Sequence, residues 1–215
     1  MNIKKSLYTN TIENLPPNGQ HLLAQQDGDY IVFYQAYNHA IADYALAHQC
    51  LGGPHFNFNR MSWIKPNFLW MMFRCGWGEK ENQDRILAYW IKKYDFEAIL
   101  DEAVYSTYNP EIYNSNEAWK AALGAKDVRL QWDPDHDPYG NKLQRRAIQI
   151  GLKGKFLENF SKHQIHQLDD ITSFVHEQKH FVQTQHLDKL WVPVETPFYC
   201  TKESINEKIG IQKLQ

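Results

Sequence analysis

The clearest pattern along the chain is an apolar and aromatic run over residues 30–37. Its β-branched and aromatic side chains predict a strand that is buried on both faces. Asn38 can cap a following helix, and good helix formers over residues 39–50 predict one. That helix should end at Gly52, Gly53 and Pro54, which break regular structure.

The stretch that follows mixes aromatic and charged residues more densely than any other part of the chain. A short strand over residues 58–64 would place Met61 and Trp63 on one face, and the other face would carry Arg60, Ser62 and Ile64. Large aromatic side chains usually lie inside and charges outside. This stretch therefore predicts either a core edge or a concave wall for a flat anionic ligand.

A helix should begin near Pro66, which fits a first helical turn, and end at Gly76. Its apolar side should face the core through Phe68, Leu69 and Met72. The helical period places a second set in one outward sector, namely Asn67, Trp70 and Arg74.

The remaining periodicity predicts an α+β fold. Strands are expected over residues 85–91, 128–132 and 146–152, helices over 95–104 and 116–123, and mostly helix over 155–190. Without a regular βαβ rhythm, the pattern favours a single domain with a mostly antiparallel sheet flanked by helices. We expect this domain over residues 29–200, a polar N-terminal arm over 1–28 and a polar C-terminal tail over 201–215.

Composition is that of an ordinary globular protein of 215 residues, with 43% hydrophobic and 22% charged residues. The aromatic share of 14% favours a binding pocket, and a net charge of −2 means that an anion site must be local. Three dispersed cysteines predict a reducing, cytoplasmic setting. The longest strongly apolar run, at residues 68–73, is too short for a bilayer, so no membrane partner is expected.

The best candidate anion site combines cationic side chains with a hydroxyl group, namely Arg60, Ser62, Lys65 and Arg74. Guanidinium groups match phosphate geometry, and lysine adds a point charge. Indoles could stack a base or a nicotinamide ring, and they are Trp63, Trp70 and Trp77. Gln35 and Tyr37 could add hydrogen bonds. The alternative is that the tryptophans belong to the core and the arginines pair with surface carboxylates.

Two further motifs suggest metal chemistry. His176, Glu177 and His180 match a zinc-protease pattern, although Gln183 stands where the extended pattern needs glycine. Asp133, Asp135 and Asp137 alternate like the start of a calcium loop, and an Asp-Pro turn explains them equally well. A third interpretation is catalytic, because Gln131 and Asp133 share one orientation at a strand end.

Several of these motifs closely resemble the signature of a bacterial and fungal family, domain of unknown function 4291. The resemblance rests on four runs between residues 30 and 152 of the sequence: 34–37, 60–77, 131–134 and 148–152. The histidine-rich segment lies outside this signature. The family itself implies no function.

The order of elements also resembles, more distantly, that of ADP-ribosyltransferases. This resemblance implies that NAD is the cofactor, that Gln35 or Tyr37 helps to hold it, and that Ser62, Gln131 and Asp133 are catalytic. Together with the candidate anion site, it gives these expected cofactor-binding residues: Gln35, Tyr37, Arg60, Trp63, Lys65, Asn67, Trp70 and Arg74. No metal is expected. The first strand lacks the Arg or His usual in that superfamily, and Asp133 stands where Glu is usual.

These observations lead to one main functional expectation and two alternatives. The main expectation is an ADP-ribosyltransferase-like enzyme that binds NAD and transfers ADP-ribose to an unknown acceptor. The first alternative is a non-catalytic module that binds a nucleotide or single-stranded RNA. The second is a metal-dependent hydrolase. The expected partner is a nucleotide-like small molecule, with nucleic acid as a further candidate acceptor or ligand.

Overall fold

Strands form at every position where the sequence predicts one. The computed structural model describes residues 1–214. Its strands, in chain order, are β1 (Lys5–Leu7), β2 (Asn18–Gln20), β3 (Leu23–Ala24), β4 (Gln26–Asp27), β5 (Tyr30–Tyr37), β6 (Ser62–Ile64), β7 (Arg85–Lys92), β8 (Val104–Tyr105), β9 (Val128–His136), β10 (Lys142–Leu152), β11 (Ile165–Asp170), β12 (Trp191–Pro193) and β13 (Thr196–Pro197).

Helices connect and cover these strands. They are α1 (Tyr8–Ile12), α2 (His39–His48), α3 (Phe68–Cys75), α4 (Lys93–Glu102), α5 (Asn116–Ala125), α6 (Gly154–Asn159), α7 (Thr172–Gln183) and α8 (Glu203–Ile209). A π-helical turn at Phe160–Gln164 follows α6, and a 3-10 turn at Leu187–Lys189 follows α7.

The first sheet contains the predicted two-faced strand. Its order is β11-β7-β5-β4, with every neighbouring pair antiparallel. Side chains of β5 alternate between two core clusters: Ile31 and Phe33 enter one, and Val32 and Tyr34 enter the other. Helices α2 and α4 supply the first cluster and α3 and α7 the second, so both faces of β5 are buried, as predicted.

The second sheet has the order β2-β10-β9-β8, with β6 also paired to β10. The long β9–β10 pair and the β6–β10 pair are antiparallel, whereas β2 and β8 join in parallel. Two small antiparallel pairs, β1–β12 and β3–β13, complete the strand pairing. The predicted fold class is confirmed: a single α+β domain with mostly antiparallel sheets.

The two main sheets are joined at Lys65. Its carbonyl accepts a hydrogen bond from the Tyr34 N–H at 2.7 Å, and its N–H donates to the Tyr34 carbonyl at 3.3 Å. Residues Ser62–Ile64, just before it, pair with β10 of the second sheet. This short segment therefore pairs with strands of both sheets.

The N-terminal segment differs from the arm predicted over residues 1–28. It contributes β1, α1 and three more short strands, and the stretch from His21 to Gln25 is fully buried. The sequence does not predict these strands, because the segment is polar and each strand is only two or three residues long, which is too short to show a hydrophobic period. The segment packs as part of the domain.

Two C-terminal predictions need correction in part. Residues 155–190 are mostly helical, as predicted, but the polar edge strand β11, which the sequence did not predict, lies between the π-helical turn and α7. The tail predicted over residues 201–215 contains α8, which buries Ile205 and Ile209. Across residues 1–214, no helix combines the length and apolar character that crossing a bilayer requires.

Candidate functional site

A cavity of about 720 Å³ lies where the two sheets meet. Its wall takes residues from the end of β5, from the loop and strand leading to Lys65, from α3 and from the paired strands β9 and β10. Its size is within the range of small-molecule and cofactor sites. The connection at Lys65 is what holds these elements around one space.

Most of the site residues predicted from the sequence line this cavity. They are Gln35, Tyr37, Arg60, Ser62, Trp63, Lys65, Arg74 and Gln131. Three others are not on its wall: Asn67, Trp70 and Asp133. The predicted convergence of cationic, aromatic and polar groups is therefore present, although these three predicted residues do not take part in it.

A hydrogen-bond chain crosses the floor of the cavity. The Tyr89 hydroxyl donates to Gln35 Oε1 at 3.1 Å, and Gln35 Nε2 donates to Ser62 Oγ at 2.6 Å. The Tyr37 hydroxyl shares a 3.0 Å hydrogen bond with Ser62 Oγ. Burial raises the pKa of the Tyr37 phenol, so it stays protonated. The chain fixes both Gln35 and Ser62 in a single orientation.

Two guanidinium groups on the wall lack acidic partners. Arg60 and Arg74 are exposed, and neither forms a salt bridge within residues 1–214. By contrast, Arg85 pairs with both Asp43 and Asp170 at the surface. The alternative that the two cavity arginines pair with surface carboxylates is therefore wrong. Their donors remain available to an anion.

Lys65 presents a different kind of cation. Its side chain is only 4% exposed, and Nζ donates to the Trp63 carbonyl at 3.0 Å. Burial, with a smaller contribution from the neighbouring Arg74 charge, lowers the pKa of the Lys65 ammonium to about 7. The thiol of Cys75 and the carboxylate of Asp133 act in the opposite direction. A substantial share of this amine is therefore neutral at physiological pH.

Asp133 lies behind the wall and orients two amides that face the cavity. Its carboxylate accepts from Gln131 Nε2 at 2.8 Å and from Gln149 Nε2 at 2.7 Å. Gln131 and Gln149 are direct partners across β9 and β10, so the three side chains share one sheet face. Ser106 Oγ donates to Gln131 Oε1 at 3.1 Å and completes the arrangement. The shared orientation predicted for Gln131 and Asp133 is present.

Trp70 was predicted to face the ligand and does not. It is 6% exposed and stacks on His136, with ring centroids 5.2 Å apart. The helical period placed Trp70 beside Arg74, but β9 covers that part of α3 and encloses the indole. Trp77 is also buried, and its indole N–H donates to the Pro138 carbonyl. Trp63 is therefore the one predicted indole on the wall.

Asn67 is the other predicted residue that lies elsewhere. It is 1% exposed, serves as the N-cap residue of α3 without a side-chain cap bond, and donates to Glu195 Oε2 at 3.4 Å. Glu195 Oε1 accepts from the Phe68 N–H at 2.5 Å and so caps the helix in its place. The role of Asn67 is thus at the start of the helix that carries Arg74.

The residues proposed for metal chemistry bind other partners. Asp133 accepts the two amides described above, and Asp135 pairs with Arg145 at 2.6 Å. Asp137 accepts from the backbone N–H groups of a local turn, as the Asp-Pro interpretation predicts. His176 and His180 are exposed on α7. Residues 1–214 bring together no group of three or more metal-ligating side chains.

Several wall residues were not singled out as site residues from the sequence, among them Gln149, Phe56 and the carboxylate Glu81. Gln149 lies opposite Gln131, and Phe56 packs edge-on against Tyr37 with centroids 6.0 Å apart. Gln149 could have been found, because antiparallel pairing of residues 128–132 with 146–152 places it beside Gln131. Phe56 lies in a loop without periodicity, so no local signal marks it.

Fold and cavity together define a single-domain α+β protein with a polar cleft between two mostly antiparallel sheets. The chain belongs to the family described as domain of unknown function DUF4291, whose model matches residues 21–198. The matched range contains every residue that lines the cavity. It confirms the family resemblance noted within residues 30–152, while no curated protein matches the chain.

Proposed function

We propose that this protein is an ADP-ribosyltransferase-like enzyme that binds NAD in the cavity and transfers ADP-ribose to an acceptor. One observation carries the proposal: Arg60 and Arg74, without acidic partners, lie on the same wall as the Trp63 indole. That combination suits a ligand that joins phosphate to a flat heterocycle. The volume of about 720 Å³ suits a dinucleotide.

The pyrophosphate of NAD would bind to the two guanidinium groups. Each can donate a pair of parallel hydrogen bonds to phosphate oxygens, and such charge-assisted bonds are about twice as strong as neutral ones. Lys65 in its protonated form would add a third positive charge at the base of the wall. The low net charge of the whole chain makes this local set the source of anion affinity.

The nicotinamide ring would stack on an aromatic side chain of the same wall, Trp63 or Tyr37. Its carboxamide needs one donor and one acceptor, and the Gln35–Ser62–Tyr37 chain offers both. These groups are held in place before any ligand arrives, which lowers the entropic cost of binding.

The reaction breaks the bond between ribose C1′ and the nicotinamide nitrogen. The electron pair stays on nitrogen, neutral nicotinamide leaves, and the acceptor nucleophile bonds C1′ and releases its proton to solvent. Positive charge develops on the ribose in the transition state, so a nearby negative charge lowers the barrier. Asp133 supplies that charge one hydrogen bond away, and it orients Gln131 toward the ribose.

A second candidate function is nucleotide or single-stranded RNA binding without chemistry. It is favoured by one specific observation: both oxygens of Asp133 accept amide protons, and the carboxylate is not on the cavity wall. In this case the basic and aromatic wall would act only as a stacking and phosphate-binding surface. Nucleic acid also remains a candidate acceptor under the first proposal.

We propose a cytoplasmic setting for this activity. Cys50, Cys75 and Cys200 are all free thiols. Unpaired thiols, two of them buried, suit a reducing compartment.

Isothermal titration with NAD, combined with an assay of nicotinamide release, tests the proposal. We expect Arg60→Gln and Arg74→Gln each to weaken NAD binding about tenfold or more, because each removes charged hydrogen bonds worth about 1.5–3 kcal/mol. Lys120→Gln, which removes an exposed charge on α5 away from the cavity, is the matched control and should bind NAD normally.

Asp133→Asn separates the two candidate functions. For the enzyme, we expect NAD affinity within about threefold of the original, because the asparagine oxygen still accepts from one of the two glutamine amides that Asp133 binds. Nicotinamide release should be at least about tenfold slower, because the negative charge felt by the transition state is lost. Binding without any nicotinamide release from the unmodified protein would leave the binding module as the function. Absence of NAD binding would reject the proposed enzyme.

A further inference from the structure

The Lys65 amine is held at one position on the cavity wall. The Lys65 backbone is hydrogen-bonded to Tyr34 of the first sheet, and its side chain donates to the Trp63 carbonyl. Lys65 is one of the residues that line the cavity, and only 4% of the residue is exposed, so the hydrogen-bonded Nζ has little freedom. This is unlike surface lysines, whose ammonium groups are mobile and fully hydrated.

The surroundings of Lys65 keep the amine reactive. The positive charge of Arg74 from α3 lowers the pKa of Lys65, and Cys75 from the same helix and Asp133 from β9 act in the opposite sense. Burial dominates and lowers the pKa of Lys65 to about 7. Desolvation and a cationic neighbour are the two conditions that activate lysine as a nucleophile toward carbonyl carbon.

We propose that the cavity also takes phosphorylated sugars with a free aldehyde, and that Lys65 forms an imine with the aldehyde while Arg60 and Arg74 hold the phosphate. The ligand class includes ADP-ribose and ribose 5-phosphate, whose anomeric carbon is free, and excludes NAD, whose anomeric carbons are both bonded to nitrogen. The inference rests on the proposed function, because it uses the same phosphate-binding arginines.

The step balances without an added oxidant or reductant. The lone pair of neutral Nζ attacks the aldehyde carbon of the open-chain sugar, and a proton moves from nitrogen to the former carbonyl oxygen. Loss of water then forms the carbon–nitrogen double bond. Imine formation is reversible, so the protein would hold the sugar only while the phosphate is bound in the cavity.

Reductive trapping tests this directly. The full chain is incubated with ADP-ribose and sodium cyanoborohydride, which converts an imine to a stable secondary amine, and each modified lysine is identified by peptide mass spectrometry. We expect Lys65 to be modified at least about tenfold faster than Lys120, which is exposed and serves as the internal control. Excess AMP, which has phosphate and no aldehyde, should suppress modification of Lys65 alone.

Two matched variants complete the test. Arg74→Gln should slow the modification of Lys65 and leave that of Lys120 unchanged. Lys65→Met should show no lysine that is modified faster than Lys120. Modification of Lys65 no faster than Lys120, with either ADP-ribose or ribose 5-phosphate, overturns the inference. If Lys65→Met does not fold, the comparison of the two lysines in the unmodified protein still decides.

Failure of the inference and failure of the proposed function are distinguishable in the same samples. NAD and ADP-ribose binding is measured by titration alongside trapping. Binding of both ligands without rapid modification of Lys65 rejects the imine and leaves the proposed function standing. Rapid modification of Lys65 without any NAD binding supports the imine and rejects the proposed function.

Discussion

At the scale of single residues, Lys65 determines how the cavity responds to pH. Its folded-state pKa of about 7 lies well below the ordinary lysine value of 10.5, chiefly because the amine is buried. Between these two values, the unfolded chain binds a proton that the folded protein does not. Stability therefore rises with pH across that window, by up to about 1.4 kcal/mol per pH unit from this group.

We predict that Lys65→Met removes this dependence. In urea unfolding, the free energy of unfolding of the variant should exceed that of the original protein most near pH 7, since methionine carries no charge to bury. This difference in free energy should become smaller toward pH 10. Lys120→Gln should follow the original protein at every pH. If the difference in free energy of unfolding between Lys65→Met and the original protein stays constant between pH 7 and 9, the buried amine does not have a lowered pKa.

The sequence identified the residue types of the site better than their individual roles. Spacing placed Arg60 and Arg74 together because both flank one strand–helix turn, and the structure keeps both on the wall. The same helical period wrongly placed Trp70 there, since burial depends on which strand covers α3. Local periodicity contains no information about that partner strand.

At the scale of elements, α3 has a cavity residue near its C-terminal end and a partly buried acidic group at its N-terminal end. Glu195, half-buried after β12, caps the helix through the Phe68 N–H, and α3 carries Arg74 to the wall. Burial, with a smaller contribution from the charge of Asp135, raises the pKa of Glu195 to about 8. The folded protein thus holds a proton that the unfolded chain releases above pH 4.5, the ordinary glutamate value.

Stability should consequently fall as pH rises from about 4.5 to 8 through this group. We predict that Glu195→Gln flattens the decline, because the amide oxygen still accepts from Phe68 and no charge is buried. Thermal unfolding at pH 5, 6.5 and 8 measures the effect, and the melting temperature of the variant should exceed that of the original protein by more at each higher pH. A difference in melting temperature that is equal at all three pH values would show that Glu195 is ionised throughout.

Element prediction succeeded where a segment is long and strongly periodic. Both faces of β5 are buried, as the pattern indicated, and the helix predicted over residues 95–104 forms as α4, with Phe96, Ile99 and Leu100 buried. The edge strand β11 was missed because its sequence is polar and its pairing with β7 is a non-local choice. Boundaries also shifted: α3 begins at Phe68, two residues after Pro66.

At the scale of the whole molecule, the cavity lies beside the segment that pairs with strands of both sheets. The class of fold and the rough location of the site follow from the sequence, since one strand–helix segment carries most of the wall. The junction itself does not, because it depends on a single pair of backbone hydrogen bonds between Tyr34 and Lys65. No side-chain pattern encodes such a bridge.

The N-terminal segment illustrates the same limit. Its short strands pair with strands more than a hundred residues away, β1 with β12 and β2 with β10. Such pairings are set by tertiary packing and leave almost no local signature. The polar composition of residues 1–28 therefore does not reveal that the segment folds as part of the domain.

We propose that two arginines and an indole on one wall bind a phosphate-linked heterocycle. A crystal structure of the protein soaked with NAD or ADP-ribose would show the bound ligand. We expect pyrophosphate oxygens within hydrogen-bond distance of Arg60 and Arg74, with a ring stacked on Trp63 or Tyr37. A ligand bound elsewhere, or density in the cavity with the phosphates away from both arginines, would contradict it.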